Sequence, residues 1–230
     1  MKTELVTIYE DNHLLVINKP PGMLVQGDAT GDLSLIDHAK HYIKRKYDKP
    51  GNVYIGLPHR IDRPTSGIVV LAKTSKALSR LNKQFSSREP EKSYWAIVKK
   101  PISRDSAELI HYLKKNQKKN KSFAYDKAFP ETKKAILHYK QIAELKNYIG
   151  LSIDLATGRH HQIRCQLATI GNPIKGDLKY GFPRSNPNGS IHLHARNITL
   201  IHPVKKEKMS FQAEVPDDVL WKEMEKQINN

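Results

Sequence analysis

The run His59-Arg60-Ile61-Asp62-Arg63-Pro64-Thr65-Ser66-Gly67 places two arginines and a carboxylate within four consecutive residues, directly before an apolar stretch. A carboxylate at the mouth of a buried strand loses solvation, which disfavours its charge. Flanking guanidinium groups restore that charge, and an ionised carboxylate is what a nucleophile requires. A structural ion pair in a loop would use the same residue types, and the run alone leaves both readings open. Thr65 and Ser66 are read as fixing the turn rather than reacting.

Other segments carry comparable chemistry. Ala156-Thr157-Gly158-Arg159-His160-His161-Gln162-Ile163-Arg164 joins a strand to a helix through a glycine turn. Free N–H groups at such a helix start favour an anion. If Arg164 lies within the helix it can point inward toward a carboxylate; ordinary capping with a surface arginine is the plainer alternative. His160 and His161 are adjacent, so on a helix they face different directions and make a poor metal pair. Gly171-Asn172-Pro173-Ile174-Lys175-Gly176-Asp177, followed by Tyr180-Gly181, demands a shaped loop. His192 and His194 alternate on a strand and share a face, so they could meet a ligand or simply be satisfied in a half-buried sheet. Tyr94, in Lys92-Ser93-Tyr94-Trp95-Ala96, suits core packing or stacking on a base.

The elements that must hold these residues follow from pattern. Residues 5–9 and 14–18 read as short strands rich in β-branched side chains. Lys19-Pro20-Pro21-Gly22 then forces a turn. Apolar Leu35, Ile36, Ala39, Tyr42 and Ile43 recur at helical spacing over 35–47. Residues 67–72 form a buried strand, and Ser75 is positioned to cap the helix that follows. Strands are expected at 94–98, repeatedly between 107 and 155, at 191–201 and at 209–215. A helix is expected over 160–170, ended by Gly171-Asn172-Pro173, and another after Pro216 with Asp217 and Asp218 in its first turn. Strands outnumber helices without regular alternation. That predicts one α+β domain over residues 1–230, with a mixed, mostly antiparallel central sheet flanked by helices.

Composition narrows the setting. The 230 residues carry 39 Lys plus Arg against 23 Asp plus Glu, a net charge of +16. A polyanionic partner is the first expectation. Residues 99–134 hold eleven Lys or Arg against four Asp or Glu, with Lys114, Lys115, Lys118, Lys119 and Lys121 close together. This basic insertion reads as an exposed loop between two strands, either a solvated turn or an arm contacting phosphates. The single cysteine, Cys165, permits no internal disulfide, and the N-terminal residues lack a signal-peptide pattern. The longest apolar runs are too short to span a bilayer. A cytoplasmic protein with no membrane partner is expected. A monomer is expected too, because no heptad or apolar stripe is evident.

Taken in order, the segments resemble one family, the RluA-type pseudouridine synthases. LLVINKPPG at 14–22 resembles the family's opening segment, and HRIDRPTSG at 59–67 the segment with its catalytic aspartate. KSYWAIV at 92–98 resembles the segment with its active-site tyrosine. TGRHHQIR at 157–164, GNPIKGD at 171–177 and LHA at 193–195 complete the pattern. Ile61 stands where Leu is usual, and His160 where Thr or Ser is usual. The basic stretch 114–134 matches the family poorly.

The resemblance implies isomerisation of uridine in ribosomal or transfer RNA to pseudouridine, with no cofactor and no metal. It implies Asp62 as nucleophile toward ribose or base, Tyr94 stacked on the uracil, and Arg164 paired with Asp62. It implies substrate contacts from His59, Arg60, Arg63 and Leu193. Sister families often carry a small RNA-binding domain before the catalytic one. Here the first strand begins by residue 5, so the catalytic domain is expected to hold its own RNA, with Lys114 and Lys115 in the candidate arm. Three competing readings make different demands. A non-catalytic RNA-binding module would leave Asp62 dispensable. A metal-dependent hydrolase would use His59, Asp62, His160, His161, His192 and His194. A glycosidase would need a second acid, for which Asp177 is the candidate.

Overall fold

The computed structural model describes residues 5–229. In chain order the elements are β1 (Val6–Glu10), β2 (Leu14–Lys19), α1 (Leu35–Lys46), β3 (Ser66–Ala72), α2 (Ser75–Ser87), β4 (Glu91–Lys99), β5 (Ser106–Asn116) and β6 (Lys121–Tyr125). There follow β7 (Lys133–Glu144), β8 (Tyr148–Leu155), α3 (Gln162–Thr169), a 3-10 turn (Leu178–Tyr180), β9 (Leu193–Ile201), β10 (Lys208–Gln212) and α4 (Val219–Asn229). The chain divides into two compact units. The first runs up to Glu91 and takes in Ala195–Glu214; the second comprises Lys92–His194 and the C-terminal stretch from Val215.

In the first unit β2 pairs antiparallel with both β1 and β3, and β10 pairs antiparallel with β9. Leu14 to Ile17 and Ile68 to Ala72 are all buried, so β2 and β3 are covered on both faces. That is why both read as unbroken apolar runs rather than alternating ones. One face packs Leu14, Val16, Ile68 and Val70 with Ala77 and Leu81 of α2. Thr74, not Ser75, caps α2, its hydroxyl accepting from Ala77 N at 3.1 Å.

In the second unit the order is β4-β8-β7-β5-β6, antiparallel throughout. Val98, Leu137, Tyr139, Leu151 and Ile153 line one face, against Ile163 and Leu167 of α3. Trp221 and Met224 of α4 pack with Ile97, Ala143 and Leu145. The α+β expectation holds. Boundaries shift where a cap decides them. α3 begins at Gln162 because His161 sits in the left-handed region at φ 53°. α4 begins at Val219 because Asp218 lies outside it, its carboxylate accepting from Leu220 N at 2.9 Å and Trp221 N at 3.3 Å. Lys114 and Lys115 belong to strand β5; only residues 117–120 form the turn.

Candidate active site

In the first unit, two turns clasp each other around Asp62. Thr65 N donates to Asp62 O at 3.1 Å and closes a tight turn directly ahead of β3. Gly22 N donates to Arg63 O at 2.8 Å, and Arg63 Nε returns a bond to Gly22 O at 3.0 Å. Gly22 has φ +84°, which the Pro-Pro-Gly turn needs to present that N–H. The LLVINKPPG and HRIDRPTSG segments are thus one structural object. Arg63 also pairs with Asp32 at 2.6 Å, on the surface.

Lys19 holds the clasp from inside. It is fully buried, and its Nζ donates to Pro20 O (2.9 Å), Met23 O (3.0 Å) and Arg63 O (3.2 Å). Burial pulls its pKa down to about 7, the charge of Asp62 opposing that shift. Sequence reasoning saw here only a turn. A signal was available: Lys19 has the same strand parity as Leu15 and Ile17, so it continues their buried face.

Asp62 is half-buried and Arg60 exposed. His59 accepts from Val70 N through Nε2 at 2.9 Å and stacks on Phe85 with ring centroids 4.5 Å apart. It therefore braces the turn against β3 and α2. Gly67 (φ +109°) begins the strand proper, where a Cβ would lie 2.3 Å from Ala195 O and 2.6 Å from Ala195 N. The glycine of one motif exists for the backbone of another.

In the second unit, Tyr94 is half-buried on β4 and packs against the sheet core. Lys92 shares its strand parity and lies beside the Thr157-Gly158 turn, a Cβ on Gly158 falling 3.8 Å from Lys92 Nζ. Burial lowers the Lys92 pKa. The turn is fastened to β7: Thr157 Oγ1 accepts from Ile136 N at 2.8 Å, and Gln162 Nε2 donates to Ile136 O at 3.0 Å. Gln162 Oε1 also accepts from Arg159 N at 2.9 Å.

Arg164 lies within α3 and is buried. Its Nε and Nη2 form a two-pronged bond to Asp177, at 2.7 and 2.9 Å. The ring of Tyr180 covers the guanidinium at 5.1 Å. Asp177, weighed in the sequence only as a second acid for a glycosidase, is thus the fixed seat of Arg164. Tyr180 OH accepts from Ser122 N at 2.8 Å and lies 3.0 Å from His161 Nδ1, and burial raises its pKa. Ser122 Oγ donates to His160 O at 2.7 Å. His160 and His161 stack on each other at 3.8 Å, so they fasten β6 and the 3-10 turn to α3.

The remaining candidates have structural surroundings. Leu193 is buried in the sheet core. His192 bridges Asn186 and Asp218 at 3.0 Å each. His194 is fully buried, its ring 6.0 Å from that of Trp221. Among the described residues, no group of three or more His, Cys, Asp or Glu is arranged to hold a metal ion. Burial lifts the Cys165 thiol to about 11, which makes it a poor nucleophile.

Residues 13–169 match the family model described as RNA pseudouridylate synthase. The chain belongs to this family. It is 32% identical over 235 residues to ribosomal large subunit pseudouridine synthase D of Zymomonas mobilis, covering 94% of this chain and 70% of that protein. It is 34% identical over 209 residues to the dual-specificity RNA pseudouridine synthase RluA of Haemophilus influenzae, covering 90% and 91%. Its fold matches human RNA pseudouridylate synthase domain containing 4 with a TM-score of 0.78, at 22% identity over 97% of this chain and 93% of that one. These relatives agree with the RluA-type resemblance of the ordered motifs.

Proposed function

We propose that this protein isomerises uridine to pseudouridine in ribosomal RNA, with Asp62 as the nucleophile. The observation that carries the proposal is the clasped turn. Lys19, Gly22 and Arg63 fix the backbone immediately after Asp62, and Thr65 N closes the turn onto Asp62 O, within a chain that belongs to the pseudouridylate synthase family. Preorganisation of this kind lets a carboxylate attack without reorganising its surroundings. The reaction is balanced without a co-reactant. The bond from C1′ to N1 breaks, the uracil turns, C1′ joins C5, and the proton on C5 leaves while N1 gains one.

In this proposal Tyr94 stacks on the uracil and assists removal of the C5 proton. Arg164, seated by Asp177, is the arginine that the family resemblance assigns to the reaction. Arg60, His59, Arg63 and Leu193 are the residues proposed to contact the target nucleotide. A base must leave its stack to reach such a site, at a cost of roughly a few kcal/mol. Phosphate contacts from Lys114 and Lys115 offset part of that cost. Ribosomal RNA comes first because a relative is named for the large ribosomal subunit; the dual-specificity relative makes transfer RNA the second substrate to try. The test is to incubate the protein with unmodified ribosomal and transfer RNA and map pseudouridine. Wild type should modify discrete sites and Asp62→Ala none. Equal product from both would remove Asp62 from the mechanism.

A further inference from the structure

The β5–β6 hairpin has two unlike faces. Ser122 and Ala124 turn inward, and Ser122 is buried against His160 and Tyr180. Phe123 and Tyr125 turn the other way, with Phe123 opposite Lys114 and Tyr125 opposite Tyr112, while Lys121 Nζ reaches over the ring of Tyr180 at 4.9 Å. Phe123 and Tyr125 are 37% and 41% exposed, and Phe129, from the following loop, is 40% exposed. The inward face accounts for the register of the hairpin. Nothing in the packing calls for large rings on the outward face.

These rings are arranged. Tyr125 and Phe129 meet edge to face, with centroids 4.7 Å apart and planes at 86°. Thr132 holds Phe129 in place, its Oγ1 accepting from Phe129 N at 3.1 Å and donating to Phe129 O at 2.6 Å. Together with Lys114, Lys115, Asn116, Gln117 and Lys118, the rings line an open groove of about 410 Å3. Lys114 Nζ stands 5.6 Å from the Phe129 centroid and pairs with Glu131 at 2.5 Å. Lys121 Nζ stands 5.7 Å from the Phe123 centroid.

We infer that this groove binds unpaired nucleotides of the RNA substrate, stacking bases on Phe123 and Phe129 and placing phosphates beside Lys115 and Lys118. The inference rests on RNA being the substrate. Lysines alone would recognise any polyanion, folded or extended. Exposed rings set among lysines select single strands, whose bases are free to stack. The local charge excess, eleven basic against four acidic residues over 99–134, complements a phosphate backbone. A double helix hides its bases and would gain only the charge term.

The test measures binding apart from turnover. A fluorescent single-stranded cytidine dodecamer, which contains no uridine to modify, is titrated with wild type, Phe123→Ala, Phe129→Ala and Lys115→Gln/Lys118→Gln. An abasic dodecamer, a duplex of equal length and a polyglutamate peptide serve as further probes. Each aromatic variant should bind the dodecamer about fivefold to a hundredfold more weakly, with its salt slope unchanged. The lysine variant should flatten the slope, and the abasic strand should bind all aromatic variants alike. Phe123→Trp should restore affinity, which separates stacking from misfolding. Unchanged affinity in both aromatic variants, equal binding of abasic and base-bearing strands, or preference for polyglutamate would each overturn the inference. Active enzyme with unaffected aromatic variants would sink the groove but not the proposed activity. Ring-dependent binding by an enzyme that makes no pseudouridine would do the reverse.

Discussion

The turn around Asp62 and the β5–β6 hairpin both present charge, and they do so in opposite ways. In the turn, Lys19 is withdrawn completely from water and spends its ammonium on three main-chain carbonyls. In the hairpin, Lys115, Lys118 and Lys119 extend into solvent, and Lys114 is only partly covered. Buried charge fixes backbone geometry, because leaving any partner unmet is costly. Exposed charge fixes little, because water can replace each partner. The same residue type therefore acts as a structural pin in one region and as a contact for a ligand in the other.

That contrast can be broken by measurement. The largest effect belongs to Asp62→Ala, which should lower pseudouridine formation by at least ~10³-fold while leaving RNA affinity within about twofold. A comparable fall in affinity would mean that the turn binds rather than reacts. Next is Asp177→Ala, which strands the buried guanidinium of Arg164. Urea denaturation should show a loss of about 3–5 kcal/mol. A loss under about 1 kcal/mol would place this pair with the exposed charges instead.

Lys19→Met keeps the volume but removes the donor, and should cost about 2–3 kcal/mol at neutral pH. Its pH signature has a definite sign. The folded pKa of about 7 lies below the ordinary 10.5, so between these values the unfolded chain binds more protons. Wild-type stability should therefore rise with pH across that window relative to Lys19→Met, by up to about 1.4 kcal/mol per pH unit. A parallel pH profile for the two proteins would show that Lys19 titrates normally. The smallest effect on stability comes from replacing Lys114, Lys115, Lys118 and Lys119 together with glutamine. Stability should move within about 0.5 kcal/mol. The logarithmic salt slope for a single-stranded RNA should shrink by up to about 3. An unchanged slope would remove these lysines from the interface.

What the sequence disclosed follows the same division. Gly22, Asp62 and Gly67 stand out because few residues satisfy their positions, and a short pattern captures that. Lys19 escaped notice because lysine at a strand end reads as a surface residue, although its parity with Leu15 and Ile17 marked it as inward. The seat of Arg164 on Asp177 was missed because thirteen residues and a change of element separate them, and spacing of that kind has no periodicity to detect. His161 hid the true start of α3, since a left-handed residue that is not glycine leaves no compositional trace. The aromatic face of the hairpin was hidden for another reason. Alternating Phe123 and Tyr125 look like an ordinary strand until the opposite face is found to be the buried one.

Gly67 has a consequence for how this chain can change. A side chain there would strike the carbonyl oxygen and nitrogen of Ala195, which every amino acid carries. Trimming the neighbour cannot relieve that collision, as it could where two side chains compete for space. Position 67 therefore has no local suppressor: a variant there must displace a strand or be lost, whatever replaces Ala195.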